Sequence, residues 1–343
     1  MQETGTSTKD IISKQDTLPL PVNIIIPFYQ HEELVPPLFA ALYSIADELN
    51  EMQASLILIN DSPGYTPLVE ELEKARLQCK NYNIACNLLT NEENLGFLRT
   101  TNRGLQLSSA SCHDVILLNS DTIPTIGALK EIQRIAYSDA KIGFVSPRSN
   151  NADYCSFPND GNHALLDFDR AYKGFKAFQS CLPNIIYTPT VVGFCMYIKS
   201  EVLFKIGFLD EIYRHGYYEE YDYVFRGSRQ GYKAALANHA YVYHKGAASI
   251  VSKPTAKEML LAKNKCIFEE RYPEYVVSIS AYFSSGYYKA ERLVHRLLSH
   301  SVFDFTPLSF LKIRVAKLIL KKLSKRWHKY FIKYSSNLMK PQH

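Results

Sequence analysis

The strongest constraint in this sequence is one pattern met four times, an apolar run that stops abruptly on polar residues. Val22 to Pro27, Ser55 to Asn60, Ile84 to Leu89 and Val115 to Leu118 read as buried strands. Their apolar residues are nearly continuous, as suits strands covered on both faces. Helical patterns lie between them. Pro36 and Pro37 suit a first helical turn, where a missing N–H does no harm, and Leu38, Leu42 and Ile45 then mark one face. Thr66 and Pro67 make a similar start, with Leu68, Leu72 and Ala75 beneath. This alternation predicts an α/β fold, a mostly parallel twisted sheet with right-handed crossovers and flanking helices.

In such sheets ligands bind beyond the carboxyl ends of the strands. Strand one ends in Pro27-Phe28-Tyr29-Gln30, strand two in Asn60-Asp61-Ser62 and the fourth in Asn119-Ser120-Asp121. Any one of these polar residues is explained by a turn or a helix cap. Their coincidence predicts a polar cleft along one edge. Neither a G-x-x-x-x-G-K-[ST] nor a G-x-G-x-x-G segment follows the first strand, which argues against Walker-type hydrolysis and Rossmann-type dinucleotide binding. A diphosphate held here needs a divalent cation, for which Asp121 is the natural carboxylate ligand.

Composition narrows the class further. With 343 residues, 46% hydrophobic and 21% charged, the chain is neither disordered nor fibrous. No apolar run approaches the ~18 residues of a membrane span. The first twenty residues are polar and aperiodic, and are expected to form a mobile arm without a secretory leader, leaving the body of the protein in the cytosol. Seven cysteines without a C-x-x-C pair are expected to be reduced and to bind no zinc. The net charge of +5 is uneven: Thr306 to His343 holds ten Lys plus Arg and no acid, which leaves 29 − 34 = −5 for residues 1–305.

Several blocks, in this order, resemble glycosyltransferase family 2. They are Ile24-Ile25-Ile26-Pro27-Phe28-Tyr29, Ile59-Asn60-Asp61-Ser62, Asn91-Glu92-Glu93-Asn94-Leu95-Gly96-Phe97 with Thr101-Asn102-Arg103-Gly104, and Leu117-Leu118-Asn119-Ser120-Asp121-Thr122. Further on, Val192-Gly193-Phe194-Cys195-Met196, Gly216 to Tyr223 and Val242-Tyr243-His244-Lys245-Gly246 resemble the second half of that domain, especially its rhamnosyltransferase-like branch. The resemblance covers roughly residues 21–275. It implies a GT-A fold, a nucleotide-sugar donor (UDP-, dTDP- or GDP-linked), Mn²⁺ or Mg²⁺, and inversion at the anomeric carbon.

The resemblance also implies roles for residues. The family's D-x-D element falls on Asn119-Ser120-Asp121, so Asp121 is the carboxylate ligand and Asn119 a neutral hydrogen-bonding group toward the donor. His244 matches a histidine that often joins the metal shell, although a packed strand-end histidine fits the residue as well. Pro27, Tyr29, Asp61, Asn94, Gly96 and Arg99 match the donor pocket. Asp61 suits a base or ribose, and Arg99 a phosphate, with a solvated helix face as the alternative for Arg99. By the same resemblance, Gly193-Phe194-Cys195 lines the acceptor and donor-sugar side.

The catalytic candidates are Glu219, Glu220 and Asp222. They fall on the family's Glu/Asp-Asp-x-Asp element, whose second acid is taken as the base. Glu220 is therefore the expected base and Glu219 the runner-up. Asp222 stands four residues before Arg226, which suits a pair on one helix face and a positioning role. Tyr154, Phe157, Tyr217 and Tyr218 can stack on an acceptor sugar, but packing is the commoner use of such rings.

After Arg271-Tyr272-Pro273 comes an aromatic patch and then a basic helix in which Leu311, Val315, Leu318, Leu323, Trp327, Tyr330 and Tyr334 recur at near-helical spacing. Residues 306–334 fit an anionic membrane surface, or packing on the domain, and the sequence leaves both open. The expected organisation is thus an arm at 1–20, a GT-A domain at 21–275 and a helical tail at 276–343. The function expected is metal-dependent inverting transfer of a sugar to a glycan or lipid-linked acceptor in cell-surface polysaccharide synthesis, in the cytoplasm or on the inner face of the membrane. Alternatives are a non-catalytic glycan-binding or scaffold subunit of a membrane-associated complex, and a sugar-phosphate nucleotidyltransferase. Nucleic acid is not expected as a partner, because no reader motif accompanies the basic residues.

Overall fold

A computed structural model describes residues 18–156, 167–214, 216–246, 254–299 and 307–338. Residues 1–17 of the expected arm, Phe157 and Thr306 lie outside the described residues. Leu20, at the end of that arm, is pinned to the body, its N–H donating to the Tyr137 hydroxyl and its carbonyl accepting from Gln133.

The first half of the domain follows the sequence pattern in element order, but the third strand, expected to be buried, forms the edge of the sheet and is half-buried to exposed along its length. Strand β1 (Val22–Phe28) is followed by α1 (Val35–Ser44) and α2 (Ala46–Glu51), then β2 (Ser55–Asn60) and α3 (Thr66–Cys79). Strand β3 (Ala85–Thr90), α4 (Phe97–Ser111) and β4 (Asp114–Leu118) complete it. Both Pro-led helices begin as expected, and Leu38, Leu42, Leu68, Leu72 and Ala75 are buried beneath them. β1 pairs in parallel with β2 and β4, and β2 with β3. Helix α4 packs on β1 through Gly104, where a Cβ would stand 2.5 Å from Ile25 Cγ2. Glycine there sets how closely α4 approaches the sheet.

The second half is mixed. Short β5 (Thr122–Pro124), α5 (Ala128–Ala136), β6 (Ile142–Arg148), α6 (Phe168–Gln179), β7 (Ile185–Thr188) and β8 (Cys195–Ile198) lead through α7 (Ser200–Ile206) and α8 (Glu219–Arg229) to the long β9 (Lys233–His244). The nine-stranded sheet runs β3-β2-β1-β4-β8-β6-β9-β5, with β7 also on β9. β8 is antiparallel to both β4 and β6, and β5 and β7 are antiparallel to β9. Beyond β4 the purely parallel arrangement therefore gives way, and the sheet curls around its carboxyl edge. A register shift between Pro147 and Arg148 displaces β6 against β9, and such irregularities bend a strand.

Helices α9 (Pro254–Arg271), α10 (Glu274–Ser284), α11 (Gly286–Ser299) and α12 (Pro307–Leu338) close the chain. The expected break at Arg271-Tyr272-Pro273 falls between α9 and α10, so the boundary at 275/276 lies inside α10. These helices are fastened to the domain. Arg148, fully buried on β6, donates at 2.8 Å to Glu291 on α11 and at 2.7 Å to Asn238 on β9. On α12, Ala316, Leu320, Ser324, Trp327 and Phe331 form a buried stripe, and the Trp327 indole N–H donates to the Tyr187 carbonyl at 2.7 Å. Here the single apolar face expected along α12 needs correction. Trp327 faces the domain with Leu323 partly covered beside it, while Leu311, Val315 and Leu318 point away from it. At 100° per residue the two groups lie on opposite sides of the helix. No helix among the described residues is long and apolar enough to cross a membrane.

Candidate active site

The carboxyl ends of β2, β1 and β4 form one edge, since Phe28 pairs with Asn60 and Ile25 with Leu117. Adjacent strands lie ~4.8 Å apart, which places the ends of β2 and β4 about 10 Å apart across β1. Two polar clusters occupy this edge and the loops above it.

One cluster surrounds Asp61, which is 3% exposed. Its Oδ1 accepts from the Asn91 amide at 2.6 Å and the Leu95 N–H at 2.8 Å, and its Oδ2 from the Gly96 N–H at 2.9 Å. Three of roughly four acceptor positions are thus taken by the chain itself. This revises the expected role: Asp61 chiefly organises the Asn91–Gly96 turn, with one Oδ2 position left for a ligand. Asn94 caps the same turn through Gly96 N–H at 2.9 Å, and Gly96 has φ +78°, which favours glycine. Asn91, also buried, donates to Thr100 and accepts from Arg103. Pro27 is part of β1, and Tyr29 stands 41% exposed just beyond it. Arg99 does not join this cluster. Its guanidinium pairs with Glu211 at 2.9 Å in solvent, so the helix-face alternative describes it.

The second cluster is assembled by β5 and β9. Thr122 pairs with His244 in that antiparallel ladder, and the Lys245 N–H donates to the Asp121 carbonyl at 2.9 Å. His244 Nε2 consequently sits 3.3 Å from Asp121 Oδ1, with both side chains largely buried. On the other side of the ring, Nδ1 lies 2.7 Å from the Asn151 carbonyl. A carbonyl only accepts, so Nδ1 carries a proton and Nε2 faces the carboxylate. Burial alone would lower the His244 pKa, but the hydrogen bond and charge of Asp121 raise it above the usual histidine range. Two Lewis bases therefore face one another across a gap that requires a proton or a cation. Adjacent ligands of a cation at ~2.1 Å lie about 3 Å apart, and a ligating histidine characteristically donates its other N–H to a carbonyl, so the pair fits a divalent ion. Among the described residues no group of three or more His, Cys, Asp or Glu is placed to hold a metal. Asn119 is fixed through its backbone, its N–H donating to Phe194 at 2.9 Å and its carbonyl accepting from Thr122 at 2.7 Å.

Gly193 and Phe194 join this pair to the acids. The Phe194 ring lies 5.2 Å from the His244 ring at 25°, and a Cβ on Gly193 would lie 3.5 Å from Glu220 Cβ and 3.8 Å from its Cδ. Glu219 and Glu220 open α8, whose first-turn N–H groups favour negative charge. Both acids nevertheless keep a buried Oε2 without a hydrogen-bond partner. Burial pushes the Glu219 carboxyl up to about 7. Burial, then the charge of Glu219, holds Glu220 well above the ordinary carboxylate range, against the Gly193 N–H and its own backbone N–H. Asp222 turns the other way, into a set of donors. Fully buried, it accepts from Arg226 and Tyr272, both at 2.8 Å, and from Tyr213 and Arg271 at 3.3 Å.

The segment that aims these acids is strained. Arg214, Tyr217 and Tyr218 have φ of +50°, +68° and +75°, and each left-handed side-chain-bearing residue costs about 1–2 kcal/mol. Asn264 on α9, 1% exposed, holds the segment by donating to the carbonyls of Tyr213, Gly216 and Tyr217 at 2.8–3.1 Å. Sequence reasoning missed Asn264, since a polar residue within a helix looks like surface. It also missed Asn91, although that residue lies inside a block that was read. Asn150, too, carried no signal in the sequence, yet it brackets the His244 backbone, accepting from its N–H at 2.8 Å and donating to its carbonyl at 3.0 Å. Tyr154 is 4% exposed and meets Tyr282 edge-on at 6.0 Å, and Tyr218 packs on Tyr221 and Phe268.

No family model matches the sequence, and no curated protein matches it significantly. Solved structures do. The crystal structure of GalNAc-T7 with UDP, GalNAc and Mn²⁺ superposes with a TM-score of 0.53 at 15% identity, covering 88% of this chain and 55% of that one. The chain thus spans about half the length of that protein. The mannosyltransferase PcManGT from Pyrobaculum calidifontis, in complex with GDP-Man and Mn²⁺, superposes with a TM-score of 0.51 at 12% identity, covering 94% and 88%. The chain has the GT-A fold. At these identities the likeness is one of architecture, and it assigns no role to any residue of this chain.

Proposed function

We propose that this protein is a divalent-cation-dependent inverting glycosyltransferase of family 2, of the rhamnosyltransferase-like branch. It moves a hexose or deoxyhexose from a UDP-, dTDP- or GDP-linked donor to a hydroxyl of a glycan or lipid-linked saccharide, in cell-surface polysaccharide synthesis on the inner face of the membrane. The observation that carries this reading is the contact of two successive residues, Gly193 and Phe194, with Glu220 on one side and His244 on the other. A pair suited to a cation and a carboxylate with one oxygen left without a donor thereby share one wall, as a single displacement between a diphosphate and a hydroxyl requires.

Asp121 and His244 would hold Mn²⁺ or Mg²⁺, with the diphosphate completing the coordination, because two protein ligands alone bind such an ion weakly. When bound, the ion supplies charge neutralisation for the departing nucleoside diphosphate. The Asn91–Gly96 turn, organised by Asp61, together with Tyr29 and Pro27, bounds the donor side. Glu220 accepts the proton of the acceptor hydroxyl as that oxygen bonds to the anomeric carbon. The bond from that carbon to the diphosphate oxygen breaks, and its electron pair leaves with the nucleotide. The raised basicity of Glu220 suits it to hold that proton near neutral pH. Glu219 keeps that basicity high by its adjacent charge.

The test is incubation with UDP-, dTDP- and GDP-sugars and Mn²⁺, followed by assay of nucleoside diphosphate and by thermal shift, since a bound donor raises apparent stability. Release of nucleoside diphosphate with one donor supports the reading. Pyrophosphate as the product points to nucleotidyl transfer, and retained glycan binding with no turnover on any donor points to a scaffold subunit.

A further inference from the structure

Helix α12 carries two stripes that the structure separates. The inner one, Ala316 to Phe331, is spent on the domain. The outer one consists of Leu311, Val315, Leu318, Lys322, Lys325 and Lys329, all exposed, at intervals of four, three, four, three and four residues. That spacing keeps them on one line along the helix. The line is graded, with three apolar residues in its first part and three lysines in its second. Leu311, Val315 and Leu318 are 59%, 47% and 69% exposed, far more than an apolar stripe retains when it packs on its own domain. From Thr306 to the end of the chain no acidic residue interrupts this surface.

We propose that the outer stripe of α12 is a docking surface for an anionic lipid bilayer, with the lysines on the headgroups and the Leu311–Leu318 turns inserted at the acyl boundary. The grading argues for lipid over other occupants. A second copy of this helix would set lysines against lysines where the stripes meet in parallel, and nucleic acid would leave the apolar turns in water. A membrane interface offers negative charge and apolar depth within a few ångströms of each other. The helix is also held in a defined pose. Ile313 meets Cys181, whose neighbour Leu182 contacts His239 of β9, whereas Trp327 meets Tyr187, opposite Ala235 of the same strand. The apolar end of the stripe therefore lies toward the His244 end of β9. This surface is independent of the catalytic reading, because no stripe residue touches the Asp121–His244 or Glu219–Glu220 pairs.

The experiment is co-sedimentation of the full-length chain with vesicles of phosphatidylcholine alone and of phosphatidylcholine with 30% phosphatidylglycerol, at 0.15 M and 0.5 M salt. Binding is expected only to the anionic vesicles and is expected to weaken at high salt. The triple variant Lys322→Gln, Lys325→Gln, Lys329→Gln should bind on the order of a hundredfold more weakly, at about fivefold per lysine. Leu311→Ser with Leu318→Ser should weaken binding at both salt concentrations. These residues are solvent-facing, so folding is checked by unchanged thermal stability and by unchanged donor-dependent nucleoside diphosphate release in vesicle-free buffer. Absence of binding to anionic vesicles at 0.15 M salt, or binding that the lysine triple leaves intact, overturns the proposal. A dimer by light scattering that the leucine variants dissolve, or a nucleic-acid shift that the lysine variants abolish, without vesicle binding, overturns it in favour of those occupants.

Discussion

Asp61 and Glu220 are two carboxylates with opposite surroundings. Asp61 is buried and given three short hydrogen bonds by its own chain. Glu220 is placed at a helix start, yet one of its buried oxygens is left without a donor. A carboxylate given several donors by its own chain stabilises a loop, whereas one denied a donor on a buried oxygen resists ionisation and binds a proton avidly. The Asp61 side of the edge is thus internally satisfied, whereas the start of α8 keeps carboxylate oxygens without donors. The cost of the second is borne by neighbours such as Asp222 and Asn264, whose polar groups are satisfied.

The sharpest way to break this contrast is Glu220→Gln. Transfer is expected to fall by about 10²–10⁴-fold while donor affinity is retained, as read by nucleoside diphosphate release and calorimetry. Undiminished turnover in that variant removes Glu220 from the mechanism. Next in size is Asp61→Asn, which sets an amide among the N–H groups of Leu95 and Gly96. Stability should fall by about 2–4 kcal/mol in urea unfolding, and donor affinity should fall with it, because leaving buried donors unmet costs about 1–3 kcal/mol each. Activity loss without destabilisation would instead make Asp61 a direct donor contact.

Asn264→Ala should cost about 1–3 kcal/mol, since three carbonyls of a strained segment lose their donor. It should also lower kcat more than it raises the donor KM, as expected if the segment aims the acids and does not bind nucleotide. The smallest effect is expected in pH dependence. With Glu220 as base, transfer rises with pH through an acid limb set by its raised pKa. Glu219→Gln removes the neighbouring charge, so the limb should move to lower pH by less than one unit. For stability the sign follows from a folded pKa of about 7 at Glu219 against ~4.5 unfolded. Its contribution is present in full below pH ~4.5 and is lost as pH rises through about 7. Glu219→Gln should therefore gain on the parent in stability between pH 5 and 8. A limb that does not move separates the two acids and weakens the coupling between them.

Much of the frame was legible beforehand. The four strands, both Pro-led helices and the Asp222–Arg226 pair emerged where local pattern put them, and so did the carboxyl edge with Asp61 and Asp121. The misreadings share a cause. Arg99 matched the donor pocket in order along the chain, but the partner that claims it, Glu211, comes from a distant turn. Along α12 one periodicity fitted seven apolar residues, yet packing on β7 set Leu323 and Trp327 on one face and Leu311, Val315 and Leu318 on another. Asn264 carried no local signal.

What the sequence determined by itself is therefore whatever near neighbours decide: the hydrophobic period of each element, the proline starts and the polar strand ends. These depend on steric and solvation terms acting over a few residues. The tertiary structure alone decided that Asp121 and His244 share a gap, that Gly193 and Phe194 join them to Glu220, and that Asp61 is consumed by its own loop. The first two outcomes rest on the register of β5 on β9 and on the curl of the sheet beyond β4, and the third on the register of β3 on β2. Register is settled by the summed packing and hydrogen bonding of whole strands, so no short segment of the chain carries its signature.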